Sequence, residues 1–170
     1  APTAKQTYRT YFWKHSYVRT SSKPYSLRDL KDRECHLTND AVQKHGTGYG
    51  KYEAGNKLTL PEFASYLDNC DDCREEGVVF DRIVPRLKEL IAETIVAVSD
   101  QLNPNGHRFC FEQFGYDFMV TDTFEVLLLE VNSNPFLGTQ SPRHGALVSR
   151  MIEDAHRIAV YTVFPPRGGG

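Results

Sequence analysis

Phe111 to Pro135 reads FEQFGYDFMVTDTFEVLLLEVNSNP. Two apolar runs flank Thr121-Asp122-Thr123, a polar break of turn-forming residues, and the pattern predicts an antiparallel hairpin. With an even number of residues in the connecting loop, Asp117 pairs opposite Leu128, and side chains alternate between the two faces of the ribbon. One face is then apolar, with Tyr116, Phe118, Val120, Leu127, Leu129 and Val131. The other carries Gly115, Asp117, Met119, Val126, Leu128, Glu130 and Asn132, which puts two carboxylates and an amide at one end of an apolar strip.

In that register Asp117 and Glu130 are diagonal neighbours, roughly 7–8 Å apart at Cα. Two carboxylates on a half-buried strand face repel one another and lose hydration, so a cation or proton between them is expected. Oxygen ligands suit magnesium, and Asn132 on the same face adds a neutral oxygen. Magnesium commonly completes its shell with water and phosphate oxygens, so a nucleotide is implied beside the metal. The alternative is an edge hairpin with a few solvated charges. Against it, Leu127-Leu128-Leu129 runs directly into Glu130, and an apolar run ending in an acid is unusual.

The composition is that of an ordinary globular chain. Its 170 residues suffice for a core; 40% are hydrophobic and 25% charged, and the formal charge of -2 gives no reason to expect nucleic acid. No run reaches membrane-spanning length, and the start, APTAKQTYRTYFWKHSYV, lacks the apolar centre of a signal peptide. A cytoplasmic setting is expected. Cys70-x-x-Cys73 has metal or redox spacing but lies in an acidic loop without a second close pair, so Cys35, Cys70, Cys73 and Cys110 are read as free thiols.

Tyr8–Trp13 and Tyr17–Ser21 are aromatic or β-branched runs around Lys14-His15-Ser16, which predicts a first hairpin with Arg19 near its end. Arg19 is either a solvated strand residue or a bidentate clamp for carboxylate or phosphate. Ser26–Glu34 predicts a surface turn or one helical turn. His36-Leu37-Thr38-Asn39 then groups an imidazole, a hydroxyl and an amide that could equally form a plain polar loop. Gly46–Asn56 is glycine-rich without the pattern of a phosphate-cradling loop, and predicts a mobile surface segment. Thr59-Leu60-Pro61-Glu62 has capping-box spacing and predicts a short helix with Phe63, Tyr66 and Leu67 on its apolar side. From Val78 to Leu102 apolar residues recur at helical spacing; Pro85 belongs in a first turn, which puts the helix start near Val84. Asn103-Pro104-Asn105-Gly106 ends it, and the helix is expected against the apolar face of the hairpin. Phe136–Arg143 reads as a loop able to act as a lid or acceptor-binding edge. Gly145–Tyr161 returns to helical spacing.

Three ordered blocks carry a resemblance. SYVRTSSKPYS, then HLTN with VQK and YGKYEAGN, then GYDFMV with LLLEVNSNP resemble the tubulin–tyrosine ligase and ligase-like enzymes of the ATP-grasp class, over about Tyr8 to Pro166. The resemblance implies an α+β fold, the C-terminal lobe of an ATP-grasp enzyme with an antiparallel sheet packed against two long helices. Residues 1–166 would be that portion and 167–170 a tail. It implies ATP-dependent ligation of an amino acid to the C-terminal tail of tubulin, in which ATP phosphorylates a carboxylate and the incoming amine attacks the acylphosphate. Asp117, Glu130 and Asn132 match magnesium and ATP-phosphate ligands, and Met119 an apolar contact beside the nucleotide base. Arg19, His36, Thr38 and Asn39 match the phosphate and acceptor side.

Tyrosine is the expected donor on the strength of YGKYEAGN and VFPP, with glutamate or glycine as the alternative because SNP after Asn132 leans that way. Cytoskeletal placement on microtubules, or in a cilium, follows from the same resemblance. In such enzymes the phosphate-reaching lysines and the adenine-holding hinge lie upstream of anything matching Tyr8. The sequence is therefore expected to be the C-terminal part of a longer ligase, or a relative that has lost ATP binding and serves as a microtubule-binding scaffold.

Overall fold

In the computed structural model, which describes residues 7–71, 75–138 and 142–166, strand β1 (Tyr17–Arg19) pairs antiparallel with β2 (Lys57–Thr59). The hairpin expected between Tyr8–Trp13 and Tyr17–Ser21 does not form. β1 finds a better edge downstream, and the pairing continues past it through a bond from Thr20 N to the Asn56 carbonyl (3.0 Å). The upstream aromatics use their polar tips elsewhere, as amphipathic rings do: Tyr8 donates to the Ser99 carbonyl (2.9 Å) and Trp13 Nε1 to Asp154 Oδ2 (3.0 Å).

The chain is α+β and divides into two compact units, Lys14–Arg82 and Ile83–Gly170 with Ala1–Trp13. The first holds β1, two four-residue helices, α1 (Arg33–His36) and α2 (Asp40–Gln43), then β2 and α3 (Leu60–Asp68). Asp32 caps α1 by accepting from Glu34 N, and the expected turn over Ser26–Glu34 leaves Leu27 and Leu30 exposed. The capping box at α3 is present: the Thr59 hydroxyl accepts from Glu62 N, and the Glu62 carboxylate accepts from Thr59 N at 2.7 Å. α3 buries Leu60, Ala64 and Leu67; Tyr66, expected on the apolar side, is exposed.

Val79–Ile83 forms a π-helical turn that runs into α4 (Val84–Ala97), with Pro85 in the first turn of α4. α4 buries Leu87 and Ile91, touches the strand Val126–Asn132, and in its last turn carries Thr94, whose hydroxyl lies 2.8 Å from the Tyr116 hydroxyl. A break at Val98 separates it from α5 (Ser99–Leu102). The last helix, α6 (Pro142–Ala159), starts earlier than the expected Gly145, buries Val148 and receives the Trp13 bond at Asp154. Of the expected 136–143 loop, Phe136 and Leu137 are exposed, while 139–141 lie outside the described residues. Cys35 and Cys110 are free thiols, but Cys70 is disulfide-bonded, against the expectation; Cys73 and the tail 167–170 lie outside the described residues.

The central hairpin joins β3 (Gly115–Val120) to β4 (Val126–Asn132). Its loop has an odd count. Phe124 takes a left-handed backbone (φ 60), Thr121 N bonds to the Glu125 carbonyl, and Phe124 N to the Thr121 carbonyl, so the turn proper is Asp122-Thr123-Phe124. Val120 pairs with Val126, Met119 with Leu127 and Phe118 with Leu128; a register shift then leaves Leu129 without an opposite residue and sets Asp117 against Glu130 and Gly115 against Asn132. This is a β-bulge, one extra residue on one strand. Opposite residues share a face, so Val126 and Leu128 join Tyr116 and Phe118, while Leu127 joins Met119 and Asp117. Burial agrees, with Val126 buried and Leu127 and Leu129 exposed.

Candidate functional site

The candidate residues fall into two sets, one on each unit. On β3 and β4 the bulge places Asp117 directly opposite Glu130, closer than the diagonal arrangement expected from strict alternation. Glu130 is exposed and Asp117 half-buried, and Asn132 Nδ2 donates to Glu130 Oε1 at 3.2 Å, which steers one carboxylate oxygen. A Cβ at Gly115, opposite Asn132, would stand 3.0 Å from the Pro135 ring, so the bare glycine lets the Ser133-Asn134-Pro135 turn fold back over the strand. Met119, 43% exposed, lies on the acid-bearing face two pairs from Asp117.

Like charges set directly opposite in a ladder repel. The donor set is entirely oxygen, two carboxylates and one amide, which fits a hard divalent cation such as magnesium and does not fit zinc or copper, whose sites prefer nitrogen and sulfur.

The second set is built on the loops after β1 and α1. His36 ends α1, its Nε2 3.0 Å from the Asp29 carbonyl oxygen and its ring edge-on to Tyr25. Thr38 is half-buried, and Asn39 stands at the N-cap of α2 with an exposed side chain that makes no capping bond. Arg19 lies opposite Lys57, and its Nη2 donates to the Tyr17 hydroxyl at 3.4 Å.

What holds these loops is a buried amide pair that the sequence alone does not reveal. Gln43 is 0% exposed and Asn56 4%. Gln43 Nε2 donates to the carbonyls of Glu34 and Leu37, both at 2.7 Å, and its Oε1 accepts from Ser22 N and from Asn56 Nδ2. Asn56, left-handed at φ 50, accepts from Gly50 N and donates to the Thr20 carbonyl and the Ser22 hydroxyl. One pair of side chains thus fixes the residue after Arg19, the residue between His36 and Thr38, and the glycine-rich segment. That segment is therefore tied down, contrary to the mobile loop expected: Glu53 also accepts from Thr20 and Asp40 from Tyr49. The signal was present in VQK and AGN, but a lone amide in sequence looks the same buried or solvated.

Tyr49 donates to Asp40 at 2.6 Å, and this bond first, then the Lys57 and Lys44 charges, holds the Asp40 carboxyl below its ordinary value of 3.8. A carboxyl depressed in the folded state stabilises the fold above its unfolded pKa and loses that contribution as pH falls through the folded value. Stability in urea should therefore drop as pH falls below about 4. Asp40→Asn should be the less stable protein at neutral pH yet show a shallower acid drop.

A cavity of about 360 Å³, lined by Lys31, Asp32, Glu34, Val42 and His45 among others, holds none of the candidate residues. Among the described residues no helix is long and apolar enough to cross a membrane.

Comparison with known proteins places the chain. It is 28% identical to tubulin glycylase 3B of Tetrahymena thermophila over 89% of its own length and 12% of the relative's. It is 33% identical to the mouse (Mus musculus) protein named probable tubulin polyglutamylase TTLL2, over 85% of the chain and 26% of the relative. It is 31% identical to the human (Homo sapiens) protein monoglycylase TTLL8, over 88% and 17%. The chain thus spans about an eighth to a quarter of the length of these relatives. The tyrosine expectation finds no counterpart in those names, which specify glycine and glutamate transfer. The family model for the tubulin-tyrosine ligase family matches residues 3–167, and the chain belongs to that family.

Proposed function

We propose that this chain supplies the carboxylate-bearing part of an ATP- and magnesium-dependent ligase that adds glycine or glutamate to the C-terminal tail of tubulin. The observation that carries the reading is the directly opposed pair Asp117–Glu130 with Asn132 bonded to Glu130. In this reading the hairpin with α4 and α6 forms the C-terminal lobe of an ATP-grasp enzyme. Asp117, Glu130 and Asn132 would hold magnesium, and Met119 would lie along the nucleotide base.

Bound magnesium would neutralise charge on the transferred phosphoryl group. The chain's own residues position and shield. Arg19 holds an acceptor carboxylate, and Thr38 and Asn39, with His36 beside them, present a hydroxyl, an amide and backbone N–H groups to anionic oxygens. The acceptor carboxylate would take the γ-phosphoryl group of ATP, releasing ADP, and the amine of the incoming amino acid would then attack the acylphosphate, forming the amide bond and releasing phosphate. No side-chain nucleophile is required.

The relatives' names and the SNP turn after Asn132 both favour glycine or glutamate over tyrosine. Ligation assays on the full-length protein with ATP, magnesium and radiolabelled glycine, glutamate or tyrosine test this on tubulin. Incorporation of glycine or glutamate at least about tenfold above tyrosine is the expected result. Preferential tyrosine transfer would overturn the donor assignment, and no magnesium-dependent ATP binding in calorimetry would leave a microtubule-binding scaffold.

A further inference from the structure

The two ladders share a feature that alternation alone does not require: each opposes like charges. Where β3/β4 sets Asp117 against Glu130, β1/β2 sets Arg19 against Lys57. Residues directly opposite stand about 4.5–5.5 Å apart at Cβ and on one face, and two cations there destabilise the pairing unless negative charge lies close. Tyr17, on the same face two residues before Arg19, lies beneath both cations, with the Arg19 guanidinium carbon 5.7 Å and the Lys57 Nζ 6.0 Å from its ring centroid. The ring fixes their approach without neutralising either. A carboxylate already reaches this place from within the chain, since Asp40 stands 3.5 Å from Lys57 Nζ and is anchored by Tyr49.

We infer that Lys57 is the second prong of the acceptor site, and that Arg19 and Lys57 together select an acidic peptide by binding its side-chain carboxylates over Tyr17. The inference rests on the ligase reading for the role of Arg19, and extends it by assigning acceptor selectivity to Lys57. Asp40, 3.5 Å from Lys57 Nζ, then acts as an internal competitor that an incoming peptide carboxylate displaces. A planar guanidinium can take a carboxylate through two parallel bonds, while the ammonium adds a point charge that a neutral isostere of glutamate cannot use.

The test uses the full-length protein with a glutamate-rich peptide and its glutamine counterpart. Lys57→Gln should raise KM for the glutamate peptide about tenfold, the scale of one charge-assisted contact, with the loss falling on KM rather than kcat. It should shrink the preference for glutamate over glutamine peptide by the same factor, and Lys57→Arg should restore both. Asp40→Asn separates binding from support: it should leave KM unchanged or lower it. If Asp40→Asn raises KM as Lys57→Gln does, the lysine merely braces Asp40 and the proposal fails. It fails equally if Lys57→Gln affects both peptides alike or neither. Anisotropy of the fluorescein-labelled peptides, read without nucleotide, applies the same criteria independently of ligation, so an inactive protein would refute the ligase reading while still deciding the role of Lys57.

Discussion

Glu130→Gln in the full-length protein should reduce kcat for ligation by about 10²–10³-fold or more while leaving the fold as stable as before, or slightly more so. The two effects have one origin. Asp117 and Glu130 face each other across the ladder, and neutralising one removes a repulsion of about 0.2–1 kcal/mol from the metal-free protein. The same substitution removes a charged oxygen ligand. Thermal unfolding with and without magnesium reads both: the wild type should gain stability with magnesium as the ion binds the folded state, and the variant should start higher and gain little. Activity within tenfold of wild type would show that Glu130 does not ligate the metal.

Gln43→Leu should lower stability by about 3–5 kcal/mol, a large share of the roughly 5–15 kcal/mol typical of a domain. Volume is nearly kept, so the loss comes from hydrogen bonding. The carbonyls of Glu34 and Leu37 and the Ser22 amide would each lose a partner in a buried place, and an unsatisfied buried group costs about 1–3 kcal/mol. Urea unfolding measures the total, and faster hydrogen exchange at the Ser22 amide would locate it. A change below about 1 kcal/mol would mean that water replaces the amide and that the loops carrying Arg19 and Thr38 do not depend on it.

Features governed by local chemistry were legible in the sequence. The Thr59–Glu62 capping box and the helix start at Val84 each follow from a few neighbouring residues, and the structure has both. The residues on β3 and β4 were identified as strands, but their mutual register was not, because two irregularities combine. Phe124 occupies a left-handed position where glycine or asparagine would have announced the turn, and Leu129 is the extra residue of the bulge. Long-range choices were also hidden. Nothing near Tyr17 says that its strand partner is Lys57–Thr59, and nothing near Gln43 says that it is buried against Asn56.

The bulge also bears on how the hairpin tolerates changes in length. Deleting Leu129 would let the ladder run on from Phe118–Leu128 straight to Asp117–Glu130, so the two acids would still meet. Deleting one residue of the Asp122–Phe124 turn would instead leave the strands to choose between breaking the apolar pairs and parting the acids. A gap at Leu129 is therefore a neutral edit for the carboxylates, whereas a gap in the turn, only a few positions earlier, is not.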